Sequence, residues 1–246
     1  MYQTETRQWC RAAGAALITV VCAAAVACGG QGRDDKPARP AAGAREPRPL
    51  SAARLTAASF TQGEAVGEFT ASEYGLGAPF SDEYTADPAA CLPLVSLRTG
   101  GTRYGAPRAE VNREVYRPDS LLGENTAVQL RSYADGGAAR VMTALTRAGA
   151  LCGDGFTEDR SVVRARYLKT ETLRPPRIGD EAKAFRLTVR DLRGKACHRE
   201  YLTVVRSGST TLSFRSGISS PQDVGAVPPG VIDGQWKKFL AATRTA

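Results

Sequence analysis

The chain has one histidine, His198, and no Cys-x-x-Cys pair among its six cysteines. Protein zinc sites draw on clustered cysteine and histidine, so neither a structural zinc site nor a histidine-rich metal centre is expected. No metal ligand and no cofactor is nominated. The Gly-x-Ser-x-Gly elbow of serine hydrolases and the Ser-x-x-Lys of penicillin-binding proteins are both missing. Gly100 to Gly105 (GGTRYG) lacks the strand-to-helix frame of a phosphate loop and reads as a turn. Asp82, Glu83 and Asp87 are too sparse for a calcium loop. Aromatic residues make up only 7% of the chain and are scattered, so there is no stacking platform for nucleic acid.

A long hydrophobic run is missing too. The apolar run from Ala12 to Ala27 carries no charge and has sixteen residues. Spanning a bilayer takes about 20 apolar residues. Arg7 and Arg11 precede the run, and small residues end it. A basic start, a short apolar core and a small-residue end describe a secretory signal peptide, expected here over residues 1–27. Ala25, Val26 and Ala27 precede Cys28, and Gly29 follows. That resembles the lipobox of bacterial lipoproteins, in which the cysteine becomes the acylated mature N-terminus; Ala25 stands where leucine is usual. Cys28 is therefore the expected lipidation site, and two or more chains there would anchor the protein stably to the cell membrane on its extracytoplasmic face. Residues 28–50 are rich in Gly, Pro, Ala and charge, with no large apolar residue before Leu50. Such a segment buries too little to offset its chain entropy and reads as a tether. Residues 51–246 make one domain.

The formal net charge is +8, and 27 of the 33 basic residues are arginine. In an exported protein this favours attraction to anionic lipid headgroups or envelope polymers over nucleic acid.

Within the domain, Leu50 to Phe60 reads as a short helix capped by Ser51. Ala65 to Ser72 reads as a weak strand, and 74–87 as loop. Asp87 to Leu97 starts like a helix, with Asp87 as cap, Pro88 at its first position and Pro93 shortening or kinking it. Strands then dominate. Arg108 to Arg117 puts Ala109, Val111 and Val115 on one face; Thr126 to Tyr133 puts Val128 and Leu130 on one face and Gln129 and Arg131 on the other. Both alternate as half-buried antiparallel strands do. A helix follows from about Gly137 to Cys152, with Asp135 as its expected cap. Val141, Leu145, Ala148 and Cys152 form its apolar stripe. Strands are expected at 161–169, 183–191, 200–206 and 210–214, separated by turns at 175–180, 191–195 and 207–209, and a last helix at 230–242.

Three cysteines fall in the domain. Cys152 lies on the buried face of its helix, and Cys91 in another apolar helical stretch. An exported protein permits disulfides, and Cys91–Cys152 is the expected bridge, leaving Cys197 free; Cys152–Cys197 is the rival pairing. Cys197 and His198 are neighbours on a strand and point to opposite faces, so they form no nucleophile–base dyad.

The order of pieces adds a further reading. A lipobox and tether precede Leu55–Phe60 (LTAASF), Cys91–Leu94 (CLPL), Thr126–Tyr133 (TAVQLRSY) and Ala138–Cys152 (AARVMTALTRAGALC). Arg177–Leu187 (RIGDEAKAFRL), Tyr201–Phe214 (YLTVVRSGSTTLSF) and Gly234–Leu240 (GQWKKFL) follow. This resembles the extracellular sensor-like domain of mycobacterial PknH-type receptor kinases and its actinobacterial lipoprotein relatives, over roughly residues 51–243. The resemblance implies an α+β fold: a twisted antiparallel sheet with helices packed on one face and a cleft on the other. It implies no catalytic residues. No kinase domain is present, so no kinase activity carries over.

One surface is a candidate site. Arg164 and Arg166 project from the polar face of one strand, and Arg186 and Arg190 from that of another. If the strands pair, the guanidinium forks make a cationic strip suited to carboxylates or phosphates. The expected function is therefore non-catalytic: a sensor-like domain binding a small amphipathic or anionic envelope ligand. The alternative is a module docking on another envelope protein; an envelope enzyme, lacking a catalytic constellation, is a distant third.

Overall fold

The computed structural model describes residues 48–73, 84–97, 104–119, 124–160, 163–190, 197–217 and 223–244. The signal peptide, Cys28 and most of the tether lie outside them, as do Asp82, Glu83 and the turn expected at 191–195. Arg48 and Leu50, assigned above to the tether, already belong to the domain. The Leu50 amide donates to Ser132 Oγ at 2.6 Å, and Ser209 Oγ donates to the Arg48 carbonyl at 3.3 Å.

Helix α1 (Ala52–Ala57) starts where Ser51 caps it, accepting from the Arg54 amide at 3.4 Å. The strand expected at 65–72 is two, β1 (Ala65–Val66) and β2 (Phe69–Glu73), folded back on each other. Strand β3 (Thr85–Asp87) occupies part of the stretch read as loop. Asp87 ends that strand and caps nothing. Pro88 instead flanks a 3-10 turn (Ala89–Cys91) that runs into α2 (Leu92–Ser96). Pro93 sits in the first turn of α2, where a missing N–H leaves no bond unmade, so it opens a helix rather than kinking one.

The remaining elements are β4 (Ala109–Tyr116), β5 (Asn125–Ser132), α3 (Gly137–Leu151), β6 (Phe156–Arg160), β7 (Val163–Leu173), β8 (Glu181–Arg190), β9 (Cys197–Ser207), β10 (Thr210–Gly217) and α4 (Pro229–Arg244). Asp135 does not cap α3. Gly136 holds the cap position in left-handed conformation, with no side-chain bond. All ten strands form one antiparallel sheet, in the order β1-β2-β4-β5-β10-β9-β8-β7-β6-β3. The α+β class and the antiparallel sheet are those expected.

The helices are shared between both faces of the sheet, where one face was expected. Neighbouring residues on a strand point to opposite sides. On β9, Val205 packs with Leu55, Phe60, Leu130, Phe214, Val231 and Phe239, so this face meets α1 and α4. Val204 packs with Leu94, Val141, Leu145, Phe185 and Leu187, so the other meets α2 and α3. The centre of β9 is therefore covered twice, which is why Tyr201 to Val205 shows no clean alternation. The polar side of β5 is covered as well: Gln129 and Arg131 are buried. Arg131 is fully enclosed, with Nε donating to Glu110 Oε2 at 2.8 Å and Nη1 to the Ser96 carbonyl at 3.2 Å.

Cys91 and Cys152 are joined, S–S 1.96 Å, tying the 3-10 turn to the end of α3. Cys197, expected to be left free, is disulfide-bonded rather than a free thiol.

Two local features fix the β7–β10 half. At Gly179 the backbone φ is +69°, and a Cβ would lie 2.4 Å from the Arg206 carbonyl oxygen. The chain thus passes close enough for the next residue, Asp180, to reach the β9–β10 turn. On β7 the register shifts between Tyr167 and Lys169, so Leu168 is an extra residue in the ladder. Arg164, Arg166, Lys169, Glu171 and Leu173 consequently share the α4 face. Gly155 lies against the bulge, where a Cβ would be 2.4 Å from the Tyr167 carbonyl oxygen.

Candidate functional site

Strands β7, β8 and β9 carry on their α4 face a gradient from apolar to cationic. At one end, beneath the head of α4, is a half-open cavity of about 210 Å³. Leu173 and Ala184 form its floor with Tyr201 and Thr203, and Val227, Pro229 and Ile232 its roof. Pro176, Arg174 and Asp233 also line it. A dry cavity of about 150 Å³ admits a benzene ring, and sites for whole drug-sized ligands run from about 300 Å³ upward. This cavity therefore suits one apolar group of a larger molecule.

The next residues along the strands are ionised and paired. Arg186 binds Glu171 through two parallel bonds of 2.9 Å, and Lys169 Nζ adds a third at 3.0 Å. The fork from Arg186, aided by Lys169, holds the Glu171 carboxyl down at about 2 despite partial burial. The Arg186 guanidinium is pushed up by the same partner. Tyr201, on the cavity floor, donates its hydroxyl to Asp223 Oδ1 at 2.5 Å. Burial, and then the Asp223 carboxylate, raise the phenol to about 12. Burial works to raise Asp223 as well, but the Tyr201 hydroxyl, the Gly225 amide and the Arg199 and Arg186 charges outweigh it and keep the carboxyl low. Arg199 Nη1 lies 3.1 Å from Asp223.

At the far end stand the other predicted arginines. Strands β7 and β8 do pair, and all four side chains share one face, with Arg166 and Arg190 directly opposite each other. They are not four equivalent free cations, however. Arg186 is held by Glu171, and Arg164 by Asp159 at 2.6 Å. Arg166 and Arg190 are exposed, and among the described residues neither has a carboxylate within ion-pair reach.

Sequence reasoning found the arginines and missed their acids. Glu171 and Asp159 stand at alternating positions opposite the arginines, a signal visible only once the register is known. Tyr201 and Asp223 lie far apart in sequence and carry no motif. Elsewhere, His198 Nε2 is 3.5 Å from Glu200, which is engaged by Arg215, so this histidine faces a structural ion pair. No cluster of three or more His, Cys, Asp or Glu side chains with metal-binding geometry occurs among the described residues, and no helix there is long and apolar enough to cross a membrane.

Comparison with protein families and with curated protein sequences finds no match. Solved structures do match. The fold described above, an antiparallel sheet with helices packed on it, is similar to that of the extracellular domain of PknH from Mycobacterium tuberculosis. The TM-score is 0.53 at 11% identity, covering 80% of this chain and 98% of that one. A second similar structure is the Rv0999 ortholog from Mycobacterium smegmatis, with TM-score 0.34, 14% identity, and 78% and 93% coverage. The PknH likeness is one of fold, and it agrees with the resemblance read from the sequence.

Proposed function

We propose that this protein is an extracytoplasmic, non-catalytic ligand-binding domain of the sensor-like kind, held to the membrane through lipid on Cys28. The observation that carries the reading is the half-open cavity between the sheet and the head of α4, with polar side chains at its edge. Apolar pockets with a few convergent polar groups are where small ligands bind. The PknH domain that shares this fold is extracellular by its description, which suits a chain opening with a signal-like segment. Tyr201 on the cavity floor is tied to Asp223, and Arg186 beside it to Glu171, which suits holding a ligand better than moving protons. The docking-module reading is weaker: among the described residues the large exposed apolar side chains are Tyr116 and Leu151, too few for a protein-binding patch.

The test is native mass spectrometry of the full protein exported by its own host and purified without detergent. A co-purifying mass that denaturation releases supports the reading and identifies the ligand class. A clean apo mass, with no small molecule protecting the protein from thermal unfolding, would remove it. Labelling with an alkyne fatty acid, abolished by Cys28→Ser, tests the anchor.

A further inference from the structure

We infer that the ligand is an anionic amphiphile, with an apolar group in the cavity beneath α4 and a phosphate or carboxylate head on the Arg166–Arg190 pair. This rests on the ligand-binding reading above and names the chemistry of that same face.

Three observations carry it. The first is an unbalanced pair of charges. Like charges directly opposite on antiparallel strands repel. On this face Arg164, Arg186 and Arg199 each have a carboxylate partner, Asp159, Glu171 and Asp223. Arg166 and Arg190 face each other and, among the described residues, share none. An oxyanion between them would accept from both forks and cancel the repulsion.

The second is size. About 210 Å³ takes only part of a ligand. The third is alignment. Ala184, Arg186, Thr188 and Arg190 alternate along one strand and so share the α4 face. Six residues of strand put the cavity floor and the arginine pair about 20 Å apart. Between them lie the Arg186–Glu171 pair and Thr188, a polar floor suited to an uncharged linker. The order apolar, polar, cationic along β8 is the complement of a lipid-like molecule with an anionic end.

The test measures binding of lysophosphatidic acid and of monoacylglycerol with the same acyl chain to the full protein, below their micellar concentrations. Two variants are compared: Arg166→Gln with Arg190→Gln, and Ala184→Leu, which fills the cavity. The expected result is that lysophosphatidic acid binds at least roughly tenfold more tightly than the neutral analogue, as loss of charge-assisted hydrogen bonds dictates. The double arginine variant should erase that difference and leave monoacylglycerol binding unchanged, while Ala184→Leu weakens both. The two-ligand comparison on the unsubstituted protein stands even if Ala184→Leu does not fold. Equal binding of both amphiphiles, unaffected by the arginine changes, would overturn the anionic head and leave the ligand-binding reading intact. Binding of inorganic phosphate as tight as lysophosphatidic acid would overturn the amphiphile in favour of a free anion. Binding of neither amphiphile, with another mass found on the exported protein, would overturn this inference alone; a clean apo mass as well would end both.

Discussion

The carboxylate of Asp180 closes the β9–β10 turn from outside: its Oδ2 accepts the Gly208 amide at 2.7 Å and Arg206 Nη1 at 3.0 Å. The Asp180 amide in turn donates to the Arg206 carbonyl at 2.8 Å. Gly179 and Asp180, inside the Arg177–Leu187 stretch, thus form a structural clasp. Asp180→Ala should lower stability by about 1–2 kcal/mol, the low end for hydrogen bonds to a charged group because the carboxylate is half exposed. Asp180→Asn, which keeps an acceptor, should recover part of it. Urea unfolding of the three proteins checks this; equal midpoints would show that the clasp contributes nothing.

Arg131 has no contact with solvent, and Glu110 is nearly enclosed beside it. Removing one partner of such a pair strands the other charge. Arg131→Ala should therefore cost about 3–5 kcal/mol, and Arg131→Met combined with Glu110→Gln distinctly less. Thermal unfolding distinguishes the two, and the reverse order would contradict the argument.

Glu171 has its carboxyl depressed to about 2 by Arg186. A depressed carboxyl contributes stability that is present above its ordinary range and is lost as pH falls through its folded value. The contribution should therefore fade between the ordinary carboxylate range, about 4.5, and about 2. Partial exposure of both side chains makes it modest. The wild type and Glu171→Gln should converge in stability across that window and differ above it. A difference that stays constant with pH would place the effect elsewhere.

The Cys91–Cys152 bridge closes a sequence separation of 61 residues. In the chain-entropy description this contributes about 4 kcal/mol. Replacing both by alanine should lower the unfolding midpoint sharply. Native peptide mapping should find Cys91 and Cys152 in one linked pair, and a Cys152–Cys197 peptide would overturn the assignment.

Much of the fold could be read from residue pattern. The Ser51 cap, the α3 stripe and the alternation of β4 and β8 follow from local rules and appear where expected. What escaped was set by distant chain. Gln129 and Arg131 look solvent-facing because alternation reports two faces, not what covers each. Asp87 and Asp135 looked like caps because the residue type was right; in the folded chain one ends a strand and the other precedes a left-handed glycine. Of the candidate site, the arginine face was legible. The acids that neutralise part of it, and the cavity roofed by Val227 and Ile232, depend on strand register and helix docking.

The extra residue at Leu168 has a consequence for how this gene can change length. Strand β7 reads in one parity before the bulge and in the other after it. A single-codon deletion almost anywhere in the strand would turn one half inside out, sending Glu171 toward α3 or Tyr167 toward solvent. Loss of Leu168 itself would instead restore an unbroken ladder, at the expense of its contact with Gly155. Natural variants shortened by one residue in β7 should be concentrated at that position.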